Sequence, residues 1–117
     1  MIKNIIHYQI VLPGGKEKMV ERAVGFIHGW DDKNVHQLTC HFHEPSYPMP
    51  ENSLDGGVLQ IHYPMRYFGL LLDVFRNETP LMAMYNETTN EAQIKTEHER
   101  VGKGDIADEV IESSSLI

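Results

Sequence analysis

The stretch Val35–Glu44, VHQLTCHFHE, carries the only cysteine and three of the seven histidines of the chain. On a β-strand, side chains alternate between faces. Thr39, His41 and His43 then share one face, and Leu38, Cys40 and Phe42 share the other. Two imidazoles two residues apart on one strand have Cα atoms roughly 7 Å apart. Both rings can lean toward one ion if a neighbouring strand or loop adds a third ligand. The third candidate is His62, in the alternating segment Val58–Tyr63. There Leu59, Ile61 and Tyr63 take one face, and Val58, Gln60 and His62 the other. If these two strands are neighbours, His41, His43 and His62 form a candidate site for zinc or another divalent transition metal. Water or substrate would fill the open position, and Glu51 or Asp55 could swing in from the loop. The plainer expectation is that the same rings face solvent as polar residues and that the chain needs no cofactor.

Other residues offer weaker chemistry. Cys40 falls on the apolar face, where burial keeps a thiol protonated and inert. Gly14-Gly15-Lys16 lacks the glycine spacing and the Lys-Ser/Thr pair of a phosphate-binding loop. Glu97 and Glu99 share a face with Lys95, and nothing encloses them as a pair of hydrolytic carboxylates would require. No complete catalytic set is visible. Tyr47 and Met49, in a proline-rich loop, are large apolar side chains of the kind that anchor protein contacts. Arg66 and Tyr67, just after the third strand, belong with them as interaction candidates.

These residues must be positioned by a small set of elements. Asn4–Leu12 alternates, with Ile6, Tyr8, Ile10 and Leu12 as the more apolar set, and predicts a strand with one face deeply buried. Pro13-Gly14-Gly15 ends it. Met19, Val20, Ala23, Val24, Ile27 and Trp30 recur at helical spacing and predict a helix over Lys16–Trp30. Val35–His43 and Val58–Tyr63 are strands, separated by the loop Glu44–Gly57. Tyr67–Arg76 is apolar on both faces and predicts a central strand. Leu81–Asn86 and Ala92–Arg100 alternate and predict a hairpin. Tyr8, Tyr63 and Tyr85 are candidates to line a pocket on the uncovered face.

The expected architecture is α+β: a mainly antiparallel sheet of five to six strands with one N-terminal helix on one face, in the order β-α-β-β-β-β-β. Residues 1–102 would form one domain. Residues 103–117 would be an acidic tail, flexible or a short helix.

Composition narrows the function classes. The chain has 117 residues, 41% of them hydrophobic, enough for one domain with a real core. Ten basic against 17 acidic side chains give a net charge of −7, which works against nucleic acid as a partner. No apolar run approaches the ~20 residues of a membrane span, and no signal-peptide pattern is seen. A single cysteine fits a reducing, cytoplasmic setting. These features point to an accessory or binding module that acts by protein–protein interaction, with a partner that could be basic, and that forms a homodimer. The alternative is a metal-dependent enzyme or small-ligand sensor built on His41, His43 and His62.

Overall fold

The computed structural model describes residues 1–14, 24–44 and 48–96. Its class is the one expected, α+β with mostly antiparallel strands. The strands are β1 (Ile2–Ile5), β2 (His7–Val11), β3 (Gly25–Trp30), β4 (His36–His43), β5 (Ser53–Asp55), β6 (Val58–Pro64), β7 (Leu81–Asn86) and β8 (Glu91–Thr96). Among the described residues one α-helix, α1 (Phe68–Asn77), follows a 3-10 turn at Met65–Tyr67. The strands form a five-stranded sheet, β2-β3-β4-β6-β5, and a three-stranded sheet, β1-β7-β8. Among the described strands only β4 and β6 run parallel.

One face of the large sheet is dry. Ile27, Leu38, Cys40, Phe42, Leu59 and Ile61 point there and are essentially sealed from water. Leu71 and Phe75 of α1 and Ile5, Leu81, Ala83 and Tyr85 of the small sheet complete this core. The helix and the small sheet are thus the cover, and the opposite face of the large sheet carries the polar set.

Several elements differ from the sequence expectation. The single strand Asn4–Leu12 is two strands in two sheets, joined at Ile6, whose amide donates to the Trp30 carbonyl at 2.7 Å. Its apolar set is not deeply buried. Tyr8 rests against Phe75, but Ile6, Tyr8, Ile10 and Leu12 are 37–60% exposed, and among the described residues β2 is paired on one side only. The helix expected over Lys16–Trp30 does not hold for its last part: Gly25–Trp30 is β3, paired to both β2 and β4. Residues 16–23 lie outside the described residues, as do the acidic tail and the end of the last expected strand, residues 97–100. In GFIHGW, strict alternation of Ile27 and Gly29 against Phe26, His28 and Trp30 outweighs the helical spacing.

Tyr67–Arg76, expected as a central strand, is mostly α1. Leu71 and Phe75 are buried, Phe68, Leu72 and Val74 half-buried, and Leu70 exposed, so the burial period is helical rather than two. Thr79-Pro80 follows the helix, and the residue before a proline disfavours its continuation. The loop Glu44–Gly57 contains β5, which turns back onto β6 through Gly56 and Gly57 at φ 57° and 83°. Two successive positive φ values are the requirement of a tight two-residue hairpin, and glycine meets it without strain.

Gly29 explains how β1 crosses the large sheet. A Cβ there would lie 2.8 Å from Ile5 Cγ2 and 3.4 Å from Leu38 Cβ. The Ile5 methyl is fixed to a branched, buried side chain and moves only with its rotamer. Gly29→Ala is therefore expected to destabilise the fold by about 1–3 kcal/mol, the usual range for overpacking. Urea unfolding checks this, with Gly14→Ala, where a Cβ meets nothing within 4 Å, as the matched control.

Candidate functional site

The polar face of the large sheet is set by register. Opposite residues across a ladder share a face. His7 pairs with Trp30, Gln9 with His28 and Val11 with Phe26. Phe26 in turn faces His41, His28 faces Thr39, and Trp30 faces His36. Thr39 faces Gln60 and His41 faces His62. Every histidine among the described residues therefore lies on this one face: His7, His28, His36, His41, His43 and His62. Among its strand residues there is one formal charge, Asp55, opposite Val58 on β5.

The predicted histidines come together. Ring centroids of His41 and His62 lie 4.6 Å apart, those of His43 and His62 5.0 Å, and those of His41 and His43 6.2 Å. His43 Nε2 and His62 Nδ1 share a hydrogen bond at 2.8 Å, so one of the two nitrogens carries the proton. His41 Nε2 lies 2.6 Å from Gln60 Oε1. An amide oxygen only accepts, so His41 Nε2 is the protonated nitrogen and the lone pair sits on Nδ1. A metal-bound imidazole is oriented in the same manner, with its second nitrogen donating to a carbonyl. As the side chains stand, no three His, Cys, Asp or Glu among the described residues close on one ion. Two nitrogens already meet; the His41 ring is the one that would have to turn.

A second network continues along the face. Thr39 Oγ1 lies 2.9 Å from His28 Nδ1 and 3.0 Å from His36 Nε2. His36 Nε2 also lies 2.9 Å from the Leu38 carbonyl, so it is a donor. The Thr39 hydroxyl then donates to His28 Nδ1, and the His28 proton sits on Nε2. Phe26 and Trp30 flank these rings, Phe26 edge-on to His41 at 5.3 Å and Trp30 tilted on His36 at 5.3 Å.

His28, His41, His43 and His62 are weaker bases than a free imidazole. Burial, followed by the neighbouring rings of His41 and His43, pushes His62 down to about 4. Burial lowers His28, with His36 and His41 adding to it, and lowers His43, with His41 adding to it. Burial also lowers His41, against the opposing pull of Gln60 and Asp55. The lowered values of these four rings favour their uncharged form at neutral pH, and with Nε2 of His41 donating to Gln60, its Nδ1 lone pair is the one left for a Lewis acid.

Cys40 lies on the other face, fully buried, and desolvation drives its thiol pKa upward, so it has no part in this chemistry. The expected tyrosine pocket is not on the histidine face. Tyr63 stacks on Phe42 at 5.8 Å, Tyr8 packs on Phe75, and Tyr85 is buried with its hydroxyl donating to Asn90 Oδ1 at 2.9 Å. All three belong to the core side. Of the interaction candidates, Tyr47 lies outside the described residues. Met49, Arg66 and Tyr67 are exposed, and the Arg66 guanidinium sits 5.0 Å over the Tyr67 ring.

Sequence reasoning missed His28, Phe26 and Trp30, since a helix was expected there, and His36, whose phase along β4 differs from that of His41. The alternation in GFIHGW was the available signal for the first three. His36 joins the face because pairing shifts between Gly29 and Trp30, an irregularity no periodicity announces. No protein-family model matches the chain, and no curated protein or solved structure does so either.

Proposed function

We propose that this chain is a small binding domain whose working surface is the histidine face, with a divalent transition metal held by His41, His43 and His62. The observation that carries the reading is the closeness of three imidazoles, with His41 and His62 ring centroids 4.6 Å apart and His43 Nε2 and His62 Nδ1 at 2.8 Å. Nitrogen donors suit zinc, copper, nickel or cobalt, whereas magnesium and calcium prefer oxygen. Three protein ligands leave a position for water or substrate, as a sensor or a hydrolytic enzyme uses. The unpaired, buried thiol of Cys40 fits a cytoplasmic setting.

Elemental analysis of untagged protein, purified without a nickel column, tests the reading. About one transition metal per chain is expected. The His41→Ala/His43→Ala variant should remain folded and carry none. A folded wild-type chain that neither contains metal nor takes up added zinc removes the proposal.

A second reading rests on a different surface. Arg66, Tyr67 and the exposed Leu70 follow one another around the start of α1, a combination that suits protein docking. With a net charge of −7, the partner would be basic, or a second copy would pair along β2, an edge strand among the described residues. This reading predicts that the histidine double variant keeps its partner, while Tyr67→Ala/Leu70→Ala loses it.

A further inference from the structure

We infer that β2 pairs edge to edge with β2 of a second copy of this chain, antiparallel and centred on Gln9. This names the partner of the second reading above, on which it rests, and it involves no metal.

Three observations carry it. First, β2 is an edge strand among the described residues, and its sequence lacks the usual protection of an edge. Native edges are blunted by lysine, by inward-pointing charge or by proline. Asn4–Leu12, NIIHYQIVL, has no charged side chain and no proline, in a chain with 23% charged residues. Second, the exposed apolar side chains of this edge match their own reverse. Ile10 lies opposite the sealed Ile27 and Tyr8 rests on Phe75, so both belong to the dry face, although each is 37% exposed. Opposite residues on a ladder share a face. A two-fold pairing that keeps dry beside dry therefore excludes a one-residue slip, which would set Tyr8 against Gln9. Full overlap of His7–Val11 then centres on Gln9 and puts Tyr8 opposite Ile10 of the second copy. Ile6 and Leu12, one residue beyond the two ends of β2 and 45% and 60% exposed, fall opposite each other in the same register. Each exposed apolar side chain gains an apolar neighbour on both copies at once, as a two-fold contact requires. Third, charge selects the occupant. Two copies at −7 repel except where they are neutral, and this edge is neutral. A basic protein would find no acid on it. The product is one continuous sheet with five strands from each copy and both histidine faces on the same side.

Sedimentation equilibrium of the full, untagged chain tests this, with a chelator present so that no shared metal can join two copies. A contact of one strand per copy is small. The mass is therefore expected to climb from 13.4 kDa toward twice that value, with a midpoint of roughly 10–100 µM. Ile10→Lys places a charge on each side of the seam and should stay at the monomer mass with an unchanged circular dichroism spectrum. Cysteine cross-linking reads the register without removing the seam. Opposite Cα atoms lie roughly 4.5–5.5 Å apart, within reach of a disulfide, whereas position 7 of the two copies would be separated by on the order of 14 Å. Mild oxidation should link Gln9→Cys chains into dimers and leave His7→Cys chains unlinked. The native Cys40 is buried and does not interfere. A mass of 13.4 kDa at every concentration up to about 1 mM overturns the inference, whatever else covers the edge. A dimer that Ile10→Lys keeps, or that links through His7→Cys rather than Gln9→Cys, overturns it as well. If Tyr67→Ala/Leu70→Ala abolishes the dimer and Gln9→Cys fails to link, the second reading stands and the edge contact falls.

Discussion

Phe42→Ala is expected to cost about 3–5 kcal/mol of folding stability, the usual price of removing a large aromatic from a sealed core. Phe42 is completely buried. It stacks on Tyr63 at 5.8 Å and meets Phe68, the first residue of α1, in a T-shaped contact at 4.9 Å. Truncation would leave a cavity where the large sheet, the 3-10 turn and the helix meet. A domain of this size has a total stability of only about 5–15 kcal/mol, so much of it would be lost. Phe26→Ala is the control: Phe26 is one strand over, half-buried on the polar face, and should cost about 1 kcal/mol. Urea midpoints of the two variants settle the matter. Equal losses would mean that the dry side of the sheet has been misassigned.

That dry side was legible in the sequence. Leu38, Cys40 and Phe42 alternate with Thr39, His41 and His43 without interruption, and a one-residue slip would bury the imidazoles and expose Phe42. Leu59 and Ile61 against Gln60 and His62 read the same way. What periodicity could not supply is which strands are neighbours, or in which direction. β4 and β6 pair in parallel, with β5 folded back on the outer edge, and only that pairing sets His41 opposite His62.

The remaining differences have local causes. Val24, Ile27 and Trp30 are spaced for a helix and sit in a segment that also alternates. The ladders on both sides of β3 decide between the two, and those are long-range. In FGLLLDVFRN the apolar Leu70, 62% exposed in the fold, adds a residue off the buried side and hides the helical stripe of Phe68, Leu71 and Phe75. The break at Ile6 depends on Gly29 having no side chain, which lets Ile5 cross the sheet. No pattern within residues 4–12 contains that information.

Stability should rise with pH between about 4 and 6.5, and the histidine face should be the main reason above pH 5. In the unfolded chain each imidazole titrates near 6.5. In the folded chain His28, His41, His43 and His62 take their protons at lower pH, His62 at about 4, because burial and neighbouring rings oppose the charge. Between those values the unfolded state binds more protons, so acid favours unfolding. Asp55 works in the opposite direction on His41 and His62 but lies at the edge of the cluster. Water reaches part of each ring, so the combined effect is about 2 kcal/mol between pH 7.5 and pH 5, rather than the larger sum of isolated shifts. Urea unfolding at the two pH values measures it. His62→Gln removes the most strongly shifted ring while keeping a hydrogen-bonding side chain. It should flatten the pH dependence and make the variant relatively more stable at pH 5. A wild-type midpoint unchanged from pH 7.5 to pH 5 would mean that the rings are not crowded against one another. The contact that brings His43 Nε2 to His62 Nδ1, and with it the case for a shared ligand, would then be lost.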